Sequence, residues 1–351
     1  MGDKAMAVSM NEVGGQSVRR VGIAGVLVSC ALFALACSDD AKPEDPRWEF
    51  VFDDLDATAF SVWGSAEDDV WVVGADAGSG PLVLHYDGAA WQRLKPDVEG
   101  DLWWVSGRGD DVWMSGEAGL TLRYSRRDEQ FEVFPVETTS VLYGVFPFAK
   151  DDVWAVGGSV EEARGELLHF DGKAWSPVAD VPPGALEAPL FKVWGRDAED
   201  VWVVGLGRVA LHYDGAKWNR VDVPTGRRLL TVHGNDDGMT AVGGFASGLI
   251  VEGSPTKLLD RTPPDLPQLN GVWVAEDGSA LAGGSAGALW RREGNKWSSV
   301  KEVPDTRLDY HSVFIDPSGG EWAVGGEVIA EPFDHGIVAH RGTQISEKLG
   351  D

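Results

Sequence analysis

Short apolar runs bounded by Gly, Asp and Pro fill the chain from about residue 47 to residue 346, and they read as many short strands. One run recurs: DDVWVVG at 68–74, DDVWMSG at 110–116, DDVWAVG at 151–157 and EDVWVVG at 199–205. Weaker copies stand at 238–244, 278–284 and 320–326. The anchoring glycines are Gly74, Gly116, Gly157, Gly205, Gly243, Gly283 and Gly325. Each unit predicts four strands. Strand a carries Val-Trp-Gly, as at 62–64 and 193–195, and strand b is the Asp-Val-Trp-x-x-Gly run. Strand c is the stretch ending in His-Phe or His-Tyr, at 167–170 and 211–213. Asp-Gly, a strong hairpin signal, follows at 87–88, 171–172 and 214–215. Strand d opens with Trp91, Trp175, Trp218 or Trp297.

Four-stranded units at about 40–45 residues have the spacing of β-propeller blades. One such sheet cannot bury both faces; stacking blades around an axis does, and closing the ring leaves no end blade exposed. The expected fold is therefore all-β, a seven-bladed propeller of four-stranded antiparallel blades over residues 47–348. Trp48 lies 14 residues before Val62, the strand-d spacing, with no strands a to c ahead of it. It is expected to supply the outer strand of the last blade and so fasten the ring. Ile345, three residues after Gly342, is the competing candidate.

Composition agrees. The chain has 351 residues with 45 Gly and 16 Trp. Thirteen of those Trp fall in three repeat columns, which predicts them to be the core between blades. The net charge of −26, from 30 basic and 56 acidic residues, argues against tracking a phosphate backbone, so nucleic acid is not an expected partner. The only cysteines are Cys30 and Cys37, which removes zinc-cysteine, disulfide and thiol-nucleophile chemistry from the main body.

The N-terminus reads as an export signal: Arg19-Arg20, then an uncharged stretch at 21–36, then polar residues from Ser38. The segment ALFALAC resembles a bacterial lipobox, which implies cleavage before Cys37 and a lipid on its thiol. Cys30 follows a better local match, but an apolar run, 31–36, would remain after that cut. A simple signal or an uncleaved anchor is the alternative to lipidation. The domain plan is thus a signal peptide at 1–37, a linker at 38–46 and the propeller. Ser38 after the cysteine favours an outer-membrane lipoprotein, held to the membrane through the lipid anchor only.

The repeat DDVWAVGG…LLHFDGKAW at 151–175 is similar to repeats of photosystem II assembly factors and of related Asp-box (BNR-like) propellers. It looks closer still to repeat lipoproteins of Gram-negative envelopes. The resemblance departs in the turn, where Asp-box sequences have one more residue between Asp and Trp. It implies fold and compartment; it implies function poorly, because propellers host hydrolases, lyases and scaffolds alike.

Candidate chemistry is sparse. Asp69, Asp111, Asp152 and Asp200 precede strand b and could bind Ca²⁺, but one per blade leaves them apart, so each is expected to accept backbone N–H groups of its own turn. His85, His169 and His212 share a strand-c column and read as repeat features. No nucleophile elbow, phosphate loop or metal-ligand spacing occurs, so no catalytic residue, metal or cofactor is expected. Loop lengths are more informative. The a–b turns are nearly constant, whereas b–c and d–a connections vary, and variable loops on a rigid scaffold carry function. Candidate ligand-binding residues there are Trp103, Trp104, Lys192, Arg227, Arg228, Tyr310, His311 and His335. The expected function is an envelope-anchored, monomeric binding or scaffold module engaging a protein or glycan through that face. The alternatives are a secreted hydrolase or lyase acting on glycans, and an assembly factor for a membrane protein complex.

Overall fold

The computed structural model describes residues 46–328 and 331–350. The expected signal peptide, Cys37 and the expected linker through residue 45 lie outside the described residues. The rest forms seven antiparallel sheets, each with four consecutive or ring-closing strands. Blades 1 to 6 span residues 59–93, 102–133, 141–177, 190–220, 229–260 and 269–299. Blade 7 is built from Asp309–Ile315, Glu321–Gly326 and Gly336–Arg341, and its outer strand is Trp48–Leu55 from the other end of the chain. Trp48 pairs with Arg341 and Leu55 with Gly336. Trp48 therefore closes the ring, and Ile345 packs only partly against the core. The C-terminus does something the sequence did not announce: Leu349–Gly350 adds to blade 1 as a fifth strand, parallel to Trp91–Arg93.

Strands a are innermost and pack on one another around the axis. The interlock between blades is an aromatic ring laid on a glycine. Trp63 lies against Gly107 of blade 2, Phe148 against Gly195 of blade 4, and Trp194 against Gly234 of blade 5. Phe314 of blade 7 lies against Gly64 of blade 1, where an added Cβ would stand 2.9 Å from the ring. The same contact thus seals the circle. Of the thirteen repeat-column tryptophans, ten are buried, and Trp63, Trp175 and Trp273 are half-buried. Burying each such ring contributes on the order of 2–3 kcal/mol.

Every strand a carries a β-bulge near its start. The register against strand b slips between Ala59 and Ser61, Leu102 and Trp104, Leu142 and Gly144, and Leu190 and Lys192. It slips equally between Leu229 and Thr231, Leu269 and Gly271, and Tyr310 and Ser312. The anchoring glycine of strand b faces this bulge. At Gly74, Gly116 and Gly325 a Cβ would collide with the backbone carbonyl of Thr58, Asp101 or Asp309. In blade 6 the residue in that place is Gly284, paired with Leu269 and crowded by the Gln268 carbonyl, so the expected Gly283 is one residue off. Two glycines in a row left the register ambiguous until the bulge set it.

The repeated aspartates also differ from expectation. Asp69 accepts from the Trp71 indole N–H (2.9 Å) and bonds His85 Nε2 (2.8 Å). Asp152 does the same with Trp154 and His169, and Asp200 bonds His212 at 2.6 Å. Each ties strand b to strand c. Backbone N–H groups are accepted by the Asp-Gly aspartates of the c–d turns: Asp87 accepts from Ala89 and Ala90, and Asp171 from Lys173 and Ala174. Asp69 also takes Ser65 and Arg126, the latter reaching across from blade 2. Burial alone would raise its pKa, but the bonds from His85, Ser65 and Trp71 and the Arg126 charge outweigh burial and bring it to about 2. A depressed carboxyl stabilises the fold above its unfolded pKa of 3.8 and loses that contribution as pH falls through about 2. Asp69→Asn should therefore cost about 2 kcal/mol at pH 7. In melts at successively lower pH the gap to the parent should close below pH 4; a gap independent of pH would disprove the ionic origin.

Candidate functional site

The bulge residues are Phe60, Trp103, Tyr143, Phe191, Leu230, Asn270 and His311, one per blade. A bulge re-aims its side chain, and here it brings five of the seven, Phe60, Trp103, Tyr143, Phe191 and His311, against one another across neighbouring blades at the d–a and b–c end. Four consecutive blades place an aromatic there, and the rings touch. Phe60 stacks on Trp103 at 4.3 Å between ring centres, with planes 3° apart. Trp103 meets Tyr143 at 5.5 Å, and Tyr143 meets Phe191 at 5.5 Å. From the last blade, His311 meets Phe60 at 5.6 Å and Trp103 at 5.9 Å. Phe333, from the b–c connection of blade 7, packs edge-on to Phe60 at 5.3 Å and Trp103 at 6.2 Å. The result is a continuous aromatic arc over blades 7 and 1 to 4. Trp103, Tyr143, Phe191, His311 and Phe333 in it are half-exposed.

Two basic groups lie within the arc. Lys192 is 4% exposed. Its backbone runs close past Gly144, where an added Cβ would stand 3.3 Å from the Lys192 Cα, and Nζ donates to the Tyr143 carbonyl at 2.6 Å. It stands 4.1 Å from the centre of the Trp104 ring. Burial brings its pKa down to about 7. His311 Nδ1 is 2.5 Å from the Phe60 carbonyl oxygen, so that nitrogen donates. Burial, then the Lys192 charge, pulls His311 to about 4, and the imidazole is neutral at pH 7.

The other sequence candidates divide. Arg227 donates to the Gly248 carbonyl at 2.7 Å, and Arg228 to that of Gly244 at 2.8 Å. Both brace the b–c turn of blade 5. Arg228 also lies 5.1 Å from the ring centre of Phe245, which is 77% exposed and was not anticipated. Tyr310 is a correction: its side chain is fully buried between blades 6 and 7 with Leu281 and Leu289, not displayed on the face. His311 and Tyr310 are neighbours in sequence but the bulge sends them to different surroundings. His335 is half-buried, with Nε2 3.2 Å from the Asp53 carbonyl oxygen of the closing strand. Phe60, Tyr143, Phe191 and Phe333 were not among the candidates. The first three share a usable signal, being two residues before the strand-a valine, as Trp103 and His311 are.

Beside the arc is a hollow of about 940 Å³, walled by the b–c connections of blades 1 and 7 and the entry to blade 2. Its charged lining residues are all acidic. At the opposite end a hollow of about 360 Å³ lies between blades 2 and 3, where Arg127 pairs with Asp110 at 2.6 Å. Among the described residues, no three His, Cys, Asp or Glu side chains are placed to hold a metal ion, and no helix is long and apolar enough to cross a membrane.

The fold and site define a closed seven-bladed β-propeller with an aromatic-floored mouth at its variable end. No protein-family model matches the chain, and no curated protein does. Solved structures do. YCF48 from Cyanidioschyzon merolae is similar with a TM-score of 0.61 and 16% identity, over 84% of this chain and 98% of that one. A structure of YCF48 bound to D1 peptide gives 0.62 and 15%, over 85% and 97%. The extracellular domain of a putative hybrid two component system, BT4673 from B. thetaiotaomicron, gives 0.62 and 12%, over 86% of this chain and 40% of that one. At these identities the likeness is one of fold.

Proposed function

We propose that this protein is an envelope-anchored binding module that holds an extended segment of a client polypeptide at the d–a and b–c mouth of its channel. The observation that carries this is the half-exposed aromatic arc. Aromatic side chains kept partly in contact with water at a rigid site are suited to anchoring a partner. The similar propeller solved with a bound peptide supports a polypeptide over a glycan, and an assembly role is the form this binding would take for a membrane-protein client. A photo-crosslinking residue in place of Trp103, in the tethered protein within its native envelope, should capture a polypeptide. The same residue in place of Asp151, at the other end, should not. Capture confined to position 151 would reverse the choice of face.

The anchor is the lipid on Cys37, and the outer membrane is the destination. Cys37→Ala should release the protein from the membrane fraction and leave its thermal midpoint unchanged, because no blade residue is touched. An uncleaved variant that still sediments with membranes would refute lipidation.

A further inference from the structure

We infer that Lys192 is the positioning residue of the mouth: its ammonium ties together the strands that carry Trp103, Tyr143 and Phe191, and so holds those rings as one binding surface. The inference rests on the polypeptide-binding reading above.

The need for such a residue comes from the bulges. A bulge residue is left out of the ladder between strands. Tyr143 has no partner in strand b, whereas Leu142 pairs with Gly157 and Gly144 with Val156. Strand a is also the edge of its sheet, with no further strand on the channel side. A carbonyl in such a place needs a donor from elsewhere. Side chains of adjacent blades supply one at three bulges. The Thr231 hydroxyl of blade 5 donates to the Asn270 carbonyl of blade 6. His311 of blade 7 donates to that of Phe60 in blade 1, and Lys192 of blade 4 to that of Tyr143 in blade 3. His311 and Lys192 are the two that stand within the aromatic arc.

Lys192 does more than satisfy a carbonyl. It is the only Lys or Arg among the buried residues described. Phe191, the bulge residue of blade 4, is its chain neighbour, and the Phe191 ring meets that of Tyr143 at 5.5 Å. The 2.6 Å bond from Nζ to the Tyr143 carbonyl therefore fixes the backbone beneath both rings. Nζ also stands 4.1 Å from the ring centre of Trp104 in blade 2, and Trp104 adjoins Trp103. One cation thus reaches blades 2, 3 and 4. An uncharged donor would serve the carbonyl, as Thr231 does, but the face of Trp104 attracts a cation. A buried ammonium without a carboxylate partner is costly. A costly group kept at a binding surface is the local inconsistency expected where function, and not stability, sets the residue.

Protonation gives this role a readout. The titratable neighbours are His311 of blade 7, which feels the Lys192 charge, and the Tyr143 phenol of blade 3, which feels Glu117 of blade 2. His311, at about 4, and the phenol, raised above 10, both stay neutral between pH 6 and 9. Lys192, which burial brings to about 7, loses its charge as pH rises through that value. The hold on Trp104 should therefore weaken on the alkaline side.

The test is to pan the full-length protein against displayed random linear peptides and to keep an enriched peptide whose binding Trp103→Ala abolishes, capped at both ends and free of His and Cys. By calorimetry, Lys192→Met should weaken that peptide on the order of tenfold, because the rings are no longer held in place beforehand. Its thermal midpoint should change little, since a buried charge leaves together with the bond. Thr231→Val removes the corresponding bond between blades 5 and 6 and should leave affinity unchanged. Affinity for the parent should fall as pH is raised from about 6 to 9, and Lys192→Met should not show that fall. Equal losses in the two variants would make Lys192 a brace of the ring and overturn the inference. Unchanged binding by Lys192→Met would overturn it and leave the polypeptide reading standing. If the Met variant does not fold, the parent decides: no loss of affinity up to about pH 9 overturns the inference. Finding no peptide sensitive to Trp103→Ala would overturn both.

Discussion

Deletion of Trp48–Leu55 from the full chain is expected to lower the thermal midpoint by about 10 °C or more. The strand is the outer member of blade 7, and its Trp48, Val51 and Leu55 are 6–7% exposed. Re-exposing three large apolar side chains costs about 5 kcal/mol by area. Its loss also bares a paired strand, Gly336–Arg341, as a new edge, and breaks the fastening between the two ends of the chain. His335 and Thr58 add to that fastening: His335 approaches the Asp53 carbonyl, and the Thr58 hydroxyl donates to the Glu327 and His335 carbonyls. Deletion of 343–351 should cost far less, about 1 kcal/mol. There the pairing covers only two residues, and Leu349 is 41% exposed. Thermal melts of the two truncations decide it; the reverse ranking would show that the C-terminal tail is the clasp.

The second large effect belongs to a single methyl group. Gly325→Ala should destabilise the protein by about 3 kcal/mol. The added Cβ would fall on the Asp309 carbonyl carbon and oxygen, which are backbone atoms and cannot rotate away. That carbonyl stands at the root of the bulge that carries His311, so the substitution should also move His311 from Phe60. Gly226→Ala is the control, since nothing lies within 4 Å of a Cβ there, and it should change stability by less than about 1 kcal/mol. Denaturant melts of the two variants make the comparison, and equal losses would mean that crowding by the bulge is not what requires glycine.

Much of the fold was legible because each blade solves the same packing problem with the same residues. Asp-Val-Trp-x-x-Gly recurs since strand b is buried on both faces and opposes a crowded strand a. The closing strand was legible for a narrower reason: Trp48 keeps the strand-d distance to Val62 although its blade is at the far end of the chain. The aspartate column was legible as a repeat but not as a bond. Asp152 needs Trp154 and His169, and the second of these is 17 residues away in another strand.

The mouth was only half legible. Trp103, Lys192 and His311 stood out as unusual residues in variable connections, whereas Phe60, Tyr143 and Phe191 looked like ordinary apolar strand residues. Alternation along a strand assigns side chains to faces by counting, and a bulge adds one to the count. Residue types in the sequence therefore determined the blades, their number and the order in which they close. Which rings Phe60 met, whether Tyr310 was displayed or hidden, and which of Gly283 and Gly284 held the anchor were decided by tertiary structure. The reason is that the bulge follows from backbone crowding between strands a and b, and the acidic hollow from bringing blades 7, 1 and 2 together around the axis; neither is a property of any one segment.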